Sequence, residues 1–206
     1  MKIWKRHEWK PAPQGLAARA EAALPRKIRG TGAVLDAVPV EALLRLQDAQ
    51  WRDGMERMTC RPLRRRPERE NAAFFRTLLE NPACLICGIF LDAPAPVGKI
   101  TASDYNARNE SAELGYFLLP EYRGRGLMRA ALSEFCGLLF GPLGVRKVYA
   151  QTGAFNAPSI RLLESLGFHR DGLLREHHEM GGKYYDDLIF SLLAREYAPR
   201  EENPGQ

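Results

Sequence analysis

The chain has 206 residues, 45% of them hydrophobic, and a net charge of +5; that size and content suit one globular domain with room for an appendage. Mean hydropathy is −0.34 and no apolar run approaches a membrane span, which excludes a helical membrane protein. Four cysteines, Cys60, Cys84, Cys87 and Cys136, are too few and too scattered for a disulfide scaffold.

Met1 to Lys10 is charged, carries Trp4 and Trp9, and is not followed by an apolar h-region, so a cytoplasmic location is expected rather than export. Residues 1–30 hold Pro11, Pro13, Gly15 and Pro25 around the alanine-rich stretch Leu16 to Leu24. They read as an N-terminal arm or loosely attached helix, ahead of a domain over 31–200 and a short tail, 201–206. Val40 to Met58 places Val40, Leu43, Leu44, Leu46 and Trp51 near one helical face, and Glu68 to Leu79 repeats the pattern with Ala72, Phe75 and Leu79. The period then changes. Cys84 to Leu91 reads as a strand, Asp92 to Pro96 as a turn, Val97 to Ser103 as a second strand, Asp104 to Glu110 as polar loop, and Ala112 to Leu119 as a third strand. Leu127, Ala131, Phe135, Leu138 and Leu139 recur at helical spacing up to the Gly141-Pro142 stop. Arg146 to Thr152 is a short β-branched strand. Asn156-Ala157-Pro158 starts a helix with a capping side chain and a proline in the first turn, and Gly167 ends it. Phe168 to Met180 and Lys183 to Leu193 flank Gly181-Gly182 as a hairpin. The order of elements makes a mixed α/β sheet without internal repeats.

Two features carry charge or thiol chemistry without a clear use. Arg61, Arg64, Arg65, Arg66 and Arg69 cluster in one segment, and Arg26, Lys27 and Arg29 in another. Such clusters are solvated faces or attract acidic partners, and no nucleic-acid motif accompanies them. Cys84-Leu85-Ile86-Cys87 lies in an apolar strand pattern with no second pair at zinc spacing, so its thiols read as structural and no metal is expected.

The chemistry concentrates in Tyr122-Arg123-Gly124-Arg125-Gly126-Leu127-Met128, between a strand and a helix. Glycines let a backbone approach a phosphate closely, and the first helical N–H groups point at it. With Glu113-Leu114-Gly115-Tyr116 before this turn, and Asn156-Ala157-Pro158-Ser159, Leu166-Gly167-Phe168 and Gly182-Lys183-Tyr184-Tyr185-Asp186-Asp187 after it, the chain resembles the GNAT superfamily of acyl-CoA-dependent N-acyltransferases. It is most similar to the ribosomal-protein N-terminal acetyltransferase branch. The likeness covers roughly residues 60–197. It implies a mixed, largely antiparallel central sheet, splayed mid-sheet, with helices on both faces. It implies acetyl-CoA as cosubstrate, with the pyrophosphate on the backbone of Arg123, Gly124, Arg125, Gly126, Leu127 and Met128, and the pantetheine arm along Phe117, Leu118 and Leu119. Arg123 and Gly126 match the family's turn; Met128 stands where it has Gly or Ala.

Acetyl transfer to an amine needs a base, donors for the tetrahedral oxyanion, and support for the departing thiolate. By strand alternation Glu113 shares a face with Gly115 and Phe117 and suits the base, though a salt-bridged glutamate fits the same position. His177, His178 and Glu179 are reserve candidates, of which at most one histidine can face the site. Many relatives place a tyrosine in the helix after the asparagine, where this chain has Leu163. The branch with Asn-x-x-Ser implies Ser159 as the donor to sulfur and Asn156 as a pantetheine contact; helix capping alone also explains Asn156. The acceptor is a primary amine: a protein N-terminus, an amino sugar or a polyamine. A homodimer is compatible with the resemblance, and neither nucleic acid nor membrane is expected. The competing reading, motivated by Leu163, is a CoA-binding module without turnover.

Overall fold

The computed structural model describes residues 15–198. An eight-stranded sheet organises them in the order β1-β2-β3-β4-β5-β6-β8-β7. Its strands are β1 (Arg26–Ile28), β2 (Ala33–Ala37), β3 (Leu85–Phe90), β4 (Gly98–Asn106), β5 (Ser111–Leu118), β6 (Lys147–Gly153), β7 (His169–Met180) and β8 (Lys183–Leu193). Neighbours are antiparallel except β5 and β6. Between those two the helix α4 (Leu127–Phe140) carries the chain back to the end it left, so β6 runs parallel.

The remaining helices are α1 (Leu16–Ala20), α2 (Val40–Arg52), α3 (Glu68–Glu80) and α5 (Ala157–Ser165). Alternate strand residues fill two faces. On one, Ile100, Ala102, Leu114 and Val148 join Leu132, Phe135 and Leu139 of α4 and Leu163 of α5 in the main core. On the other, Ile86 and Cys84 pack with Leu43 of α2 and Phe75 of α3. The expected two-sided architecture is therefore present. Cys84 and Cys87 fall in different clusters on opposite faces, so their side chains cannot pair, as a spacing of three along a strand dictates.

Several boundaries differ from expectation. The helix expected to reach Met58 stops at Arg52, because Gly54 takes a left-handed φ of 67° that breaks the helical ladder; a single 3₁₀ turn, Met55–Arg57, follows. The polar stretch after Ser103 stays in β4 as far as Asn106, across a register shift at which Asp104 has φ 52°. Of the segment set apart as an arm, residues 1–14 lie outside the described residues, and 15–30 are packed into the domain rather than loosely attached. Leu16 and Ala20 are fully buried, β1 extends the sheet, and Arg26 and Arg29 both bind the buried Glu134 of α4. The tail, 201–206, also lies outside the described residues. Among the described residues no helix is long and apolar enough to cross a membrane.

Candidate active site

The sheet forks in its middle. β5 and β6 pair only at Ser111–Lys147, Ala112–Val148 and Glu113–Tyr149, then separate. β5 keeps its register with β4 as far as Gly98–Leu118. Leu119 N–H donates to Val97 O at 2.9 Å, while Glu110 O accepts from Arg146 and Lys147 N–H on the β6 side. Backbone direction alternates along a strand, so odd-numbered residues of β5 bond to β4 and even-numbered ones face the other way: Leu114 closes the last pairing with β6, and the amide groups of Tyr116 and Leu118 face the open fork. Of the three residues expected along the pantetheine arm, only Leu118 thus presents its N–H there. Phe117 and Leu119 are turned to β4, and the Phe117 ring is buried with Leu46 and Ala49 of α2.

Beyond the fork lies the glycine turn. Gly124 and Gly126 have φ of 75° and 76°, values that an L side chain adopts only at a cost. A Cβ at either would meet nothing within 4 Å, so open space lies over this backbone. The first hydrogen bond of α4 is Ala130 N–H to Gly126 O at 3.0 Å, which leaves the preceding amides as the unsatisfied start of a helix. Arg123 departs from its expected role. Its N–H is bound to Pro120 O, its Nε donates to Leu118 O at 2.9 Å, and its guanidinium pairs with Asp53 and lies 5.6 Å from the Phe117 ring centroid. It is a strut between β5 and the end of α2, leaving residues 124–128 as the part of the turn with open backbone.

Glu113 sits at the crotch, paired to Tyr149 as the last residue before the strands part. Its side chain is 15% exposed and forms an ion pair with Arg61, which also binds Asp104. Burial raises the Glu113 carboxyl above its ordinary value, Arg61 pulls it back, and Asp104 pushes it up. Arg61 belongs to the segment between α2 and α3, which lies over this face. The same segment is anchored by His178, whose Nε2–H donates to Arg57 O at 2.8 Å. His178 Nδ1 stands 3.3 Å from Asp187 Oδ1, beside the Cys60 thiol, and Gln151 Nε2 donates to Asp187 Oδ2 at 2.7 Å. Alternation holds here: His178 is buried while His177 and Glu179 are exposed. None of these three reaches Glu113 through a hydrogen bond; His178 anchors the covering segment, and Glu179 accepts from Gly182 N–H.

On the opposite face, Asn156 caps α5 by accepting from Ser159 N–H at 3.3 Å, and Gly167, with φ 84°, lets Phe168 N–H close on Leu163 O at 3.1 Å in a Schellman turn. Leu163 is fully buried in the main core and offers no donor. Ser159 Oγ lies 2.6 Å from the hydroxyl of Tyr116, a partner that sequence reasoning missed because the two are 43 residues apart. Burial pushes the Tyr116 phenol up to about 12. The thiols are similarly suppressed: burial first, then Asp187, raises Cys60 to about 12, and burial takes Cys84 to about 11 and Cys136 to about 12.

The fold has counterparts among known proteins. An uncharacterized N-acetyltransferase, p20, of Bacillus licheniformis is 33% identical over 120 residues, which span 58% of this chain and 67% of p20. The structure of spermidine N-acetyltransferase from Vibrio cholerae in complex with CoA and spermine superposes with a TM-score of 0.75 at 19% identity, covering 82% of this chain and 99% of that one. RimJ of Mycobacterium smegmatis in complex with CoA-disulfide superposes with a TM-score of 0.68 at 22% identity, covering 80% and 83%. Most of the matched curated relatives are spanned over about two thirds of their length or less. Residues 36–169 match the acetyltransferase (GNAT) domain, a stretch that runs from the end of β2 through α5 and holds the fork and the glycine turn, and the chain belongs to that family.

Proposed function

We propose that the protein is an acetyl-CoA-dependent N-acetyltransferase that moves an acetyl group to a primary amine by direct attack in a ternary complex. The fork carries this reading: strand amides at Tyr116 and Leu118, past the last pairing with β6, lead straight to the open amides at the start of α4. One side suits the amide-bearing pantetheine arm, and the other its pyrophosphate. Acetyl-CoA would enter from the α4–α5 face and the amine from the face covered by residues 53–67, with the thioester between them.

In this scheme Glu113 takes the amine's proton, directly or through water. Burial supports that role, since a carboxyl raised toward neutrality is a better base. Leu118 N–H donates to the tetrahedral oxyanion, and Ser159 donates to the departing sulfur. Asn156 holds the first turn of α5 in place beneath it. A covalent route through cysteine is disfavoured because every thiol with a shifted value is pushed up, leaving little thiolate at neutral pH. The transfer calls for no metal.

The acceptor follows from the charges around the crotch. Asp104 and Glu113 share the single guanidinium of Arg61, so a cationic amine can take its place between them. That description covers polyamines and basic protein N-termini better than an amino sugar carried on a nucleotide. We place the activity in the cytoplasm, where acyl-CoA is held.

The test is transfer of label from acetyl-CoA to a panel of polyamines, peptides with free N-termini, and amino sugars. Turnover on at least one is expected. Tight CoA binding with no transfer to any amine would leave the CoA-binding module, the reading that the buried Leu163 favours.

A further inference from the structure

The Tyr116 hydroxyl and Ser159 Oγ, 2.6 Å apart, come from opposite arms of the fork. Tyr116 stands on β5, three residues past the last pairing with β6. Ser159 stands in the first turn of α5, which follows β6, and its backbone is fixed by Asn156. The contact therefore bridges the two arms at the level where the helix would meet an incoming thioester. The helix itself supplies no phenol, because Leu163 is buried in the core.

We propose that Tyr116 is a positioning residue for the leaving group: its O–H donates to Ser159 Oγ and so turns the Ser159 O–H toward the departing sulfur. This rests on the acetyl-transfer reading. A phenol is a stronger donor than an aliphatic hydroxyl, so in a Tyr–Ser pair the phenol donates and the serine proton is left to point elsewhere.

The step balances without either hydroxyl losing its proton. The amine nitrogen forms a bond to the carbonyl carbon, the C–S bond breaks with its electron pair going to sulfur, and the amine proton passes to Glu113. Burial holds the Tyr116 phenol at about 12, against roughly 8.5 for an ordinary thiol. Proton transfer from phenol to thiolate is thus uphill by roughly three and a half pKa units. The pair stabilises the thiolate through an oriented hydrogen bond, and solvent protonates it after release.

The experiment compares wild type, Tyr116→Phe, Ser159→Ala and the double variant in the full chain, measuring kcat and KM with the best amine and CoA affinity by calorimetry. Tyr116→Phe removes one hydrogen bond, so kcat should fall roughly three- to tenfold with CoA affinity unchanged. Ser159→Ala should lower kcat at least as far, and the double variant should match Ser159→Ala alone, since the tyrosine acts only through the serine. The acid limb of the pH profile should not move in Tyr116→Phe. Wild-type kcat in Tyr116→Phe, multiplied losses in the double variant, or equal losses in CoA affinity and kcat would each overturn the proposal. A wild type without turnover on any amine would instead remove the transfer reading beneath it.

Discussion

Replacing Arg61 by Gln tests whether Glu113 is the base, because the two side chains form an ion pair inside the covering segment. Arg61 favours the carboxylate form of Glu113; burial and Asp104 oppose it. Removing the cation leaves only the two opposing effects, so the Glu113 pKa rises. Two unit charges about 4 Å apart interact by about 4 kcal/mol at an effective dielectric of 20. That is a ceiling, because the Arg61 side chain is 62% exposed and water screens it. Discounted for an exposed partner, the pair is worth about 1 kcal/mol, or roughly 0.7 pKa unit. The assay is kcat/KM for the amine against pH at saturating acetyl-CoA, following release of the CoA thiol. The lower pKa of the profile should move up by roughly 0.5 to 1 unit. Turnover should fall several-fold in the acid range and return to the wild-type level above it. Glu113→Gln in the same series should lose that limb, with its deepest deficit above it, where the wild-type carboxylate is ionised. An unmoved limb, or one displaced to lower pH, would remove Glu113 from proton transfer and leave its pair with Arg61 as a structural tie.

Two further outcomes follow from the glycine turn and from a half-buried lysine. Gly126 combines φ of 76° with open space for a Cβ, so Gly126→Ala should cost roughly 1–2 kcal/mol of backbone strain and leave most CoA affinity intact. Gly126→Asp carries the same strain plus a charge facing phosphate, and should bind CoA at least about tenfold more weakly than the alanine variant; equal affinities by calorimetry would move the pyrophosphate elsewhere. Lys99 lies 5.7 Å from the Phe75 ring centroid with no ion pair among the described residues, and burial lowers its pKa from 10.5 to about 8. The unfolded chain then holds that proton more firmly than the folded one, so the penalty is full below pH 8 and fades as pH rises to 10.5. Lys99→Met should raise unfolding stability at pH 7 by about 1–3 kcal/mol, and its advantage should shrink between pH 8 and 10; a constant gap in urea titrations would show that the amine is not the cause.

Legibility in the sequence tracked how local the determining physics is. α4 and the glycine turn announce themselves within twenty residues, because helical periodicity and positive-φ glycines act on their own neighbourhood. Asn156-Ala157-Pro158 and Gly181-Gly182 likewise mark the start of α5 and the β7–β8 turn. β1 escaped notice because Arg26-Lys27-Ile28 is short and charged; only the sheet edge and Glu134, more than a hundred residues away, make it a strand. The strand that carries Glu113 was legible, but the pairing of Glu113 with Arg61 was not, since a polar loop can meet any strand end. Arg123 misled for the same reason. Its place in the motif suggests a backbone N–H for phosphate, while the Pro120 carbonyl takes that N–H in the fold. The Tyr116–Ser159 contact needed the fork's angle as well as both residues.

The fork also says something about mechanics. Three register pairs, with α4 packed across them, are the sheet's whole seam between a five-stranded half and a three-stranded half. Beyond Glu113–Tyr149 the two strands part, so the halves can hinge. A pantetheine arm laid between them would act as a missing ninth strand, lending its amides to both edges. Cosubstrate binding would then also be the final step of sheet assembly: the linkage between ligand and folding would be felt most strongly along the facing edges of β5 and β6, where bound cosubstrate should slow amide exchange.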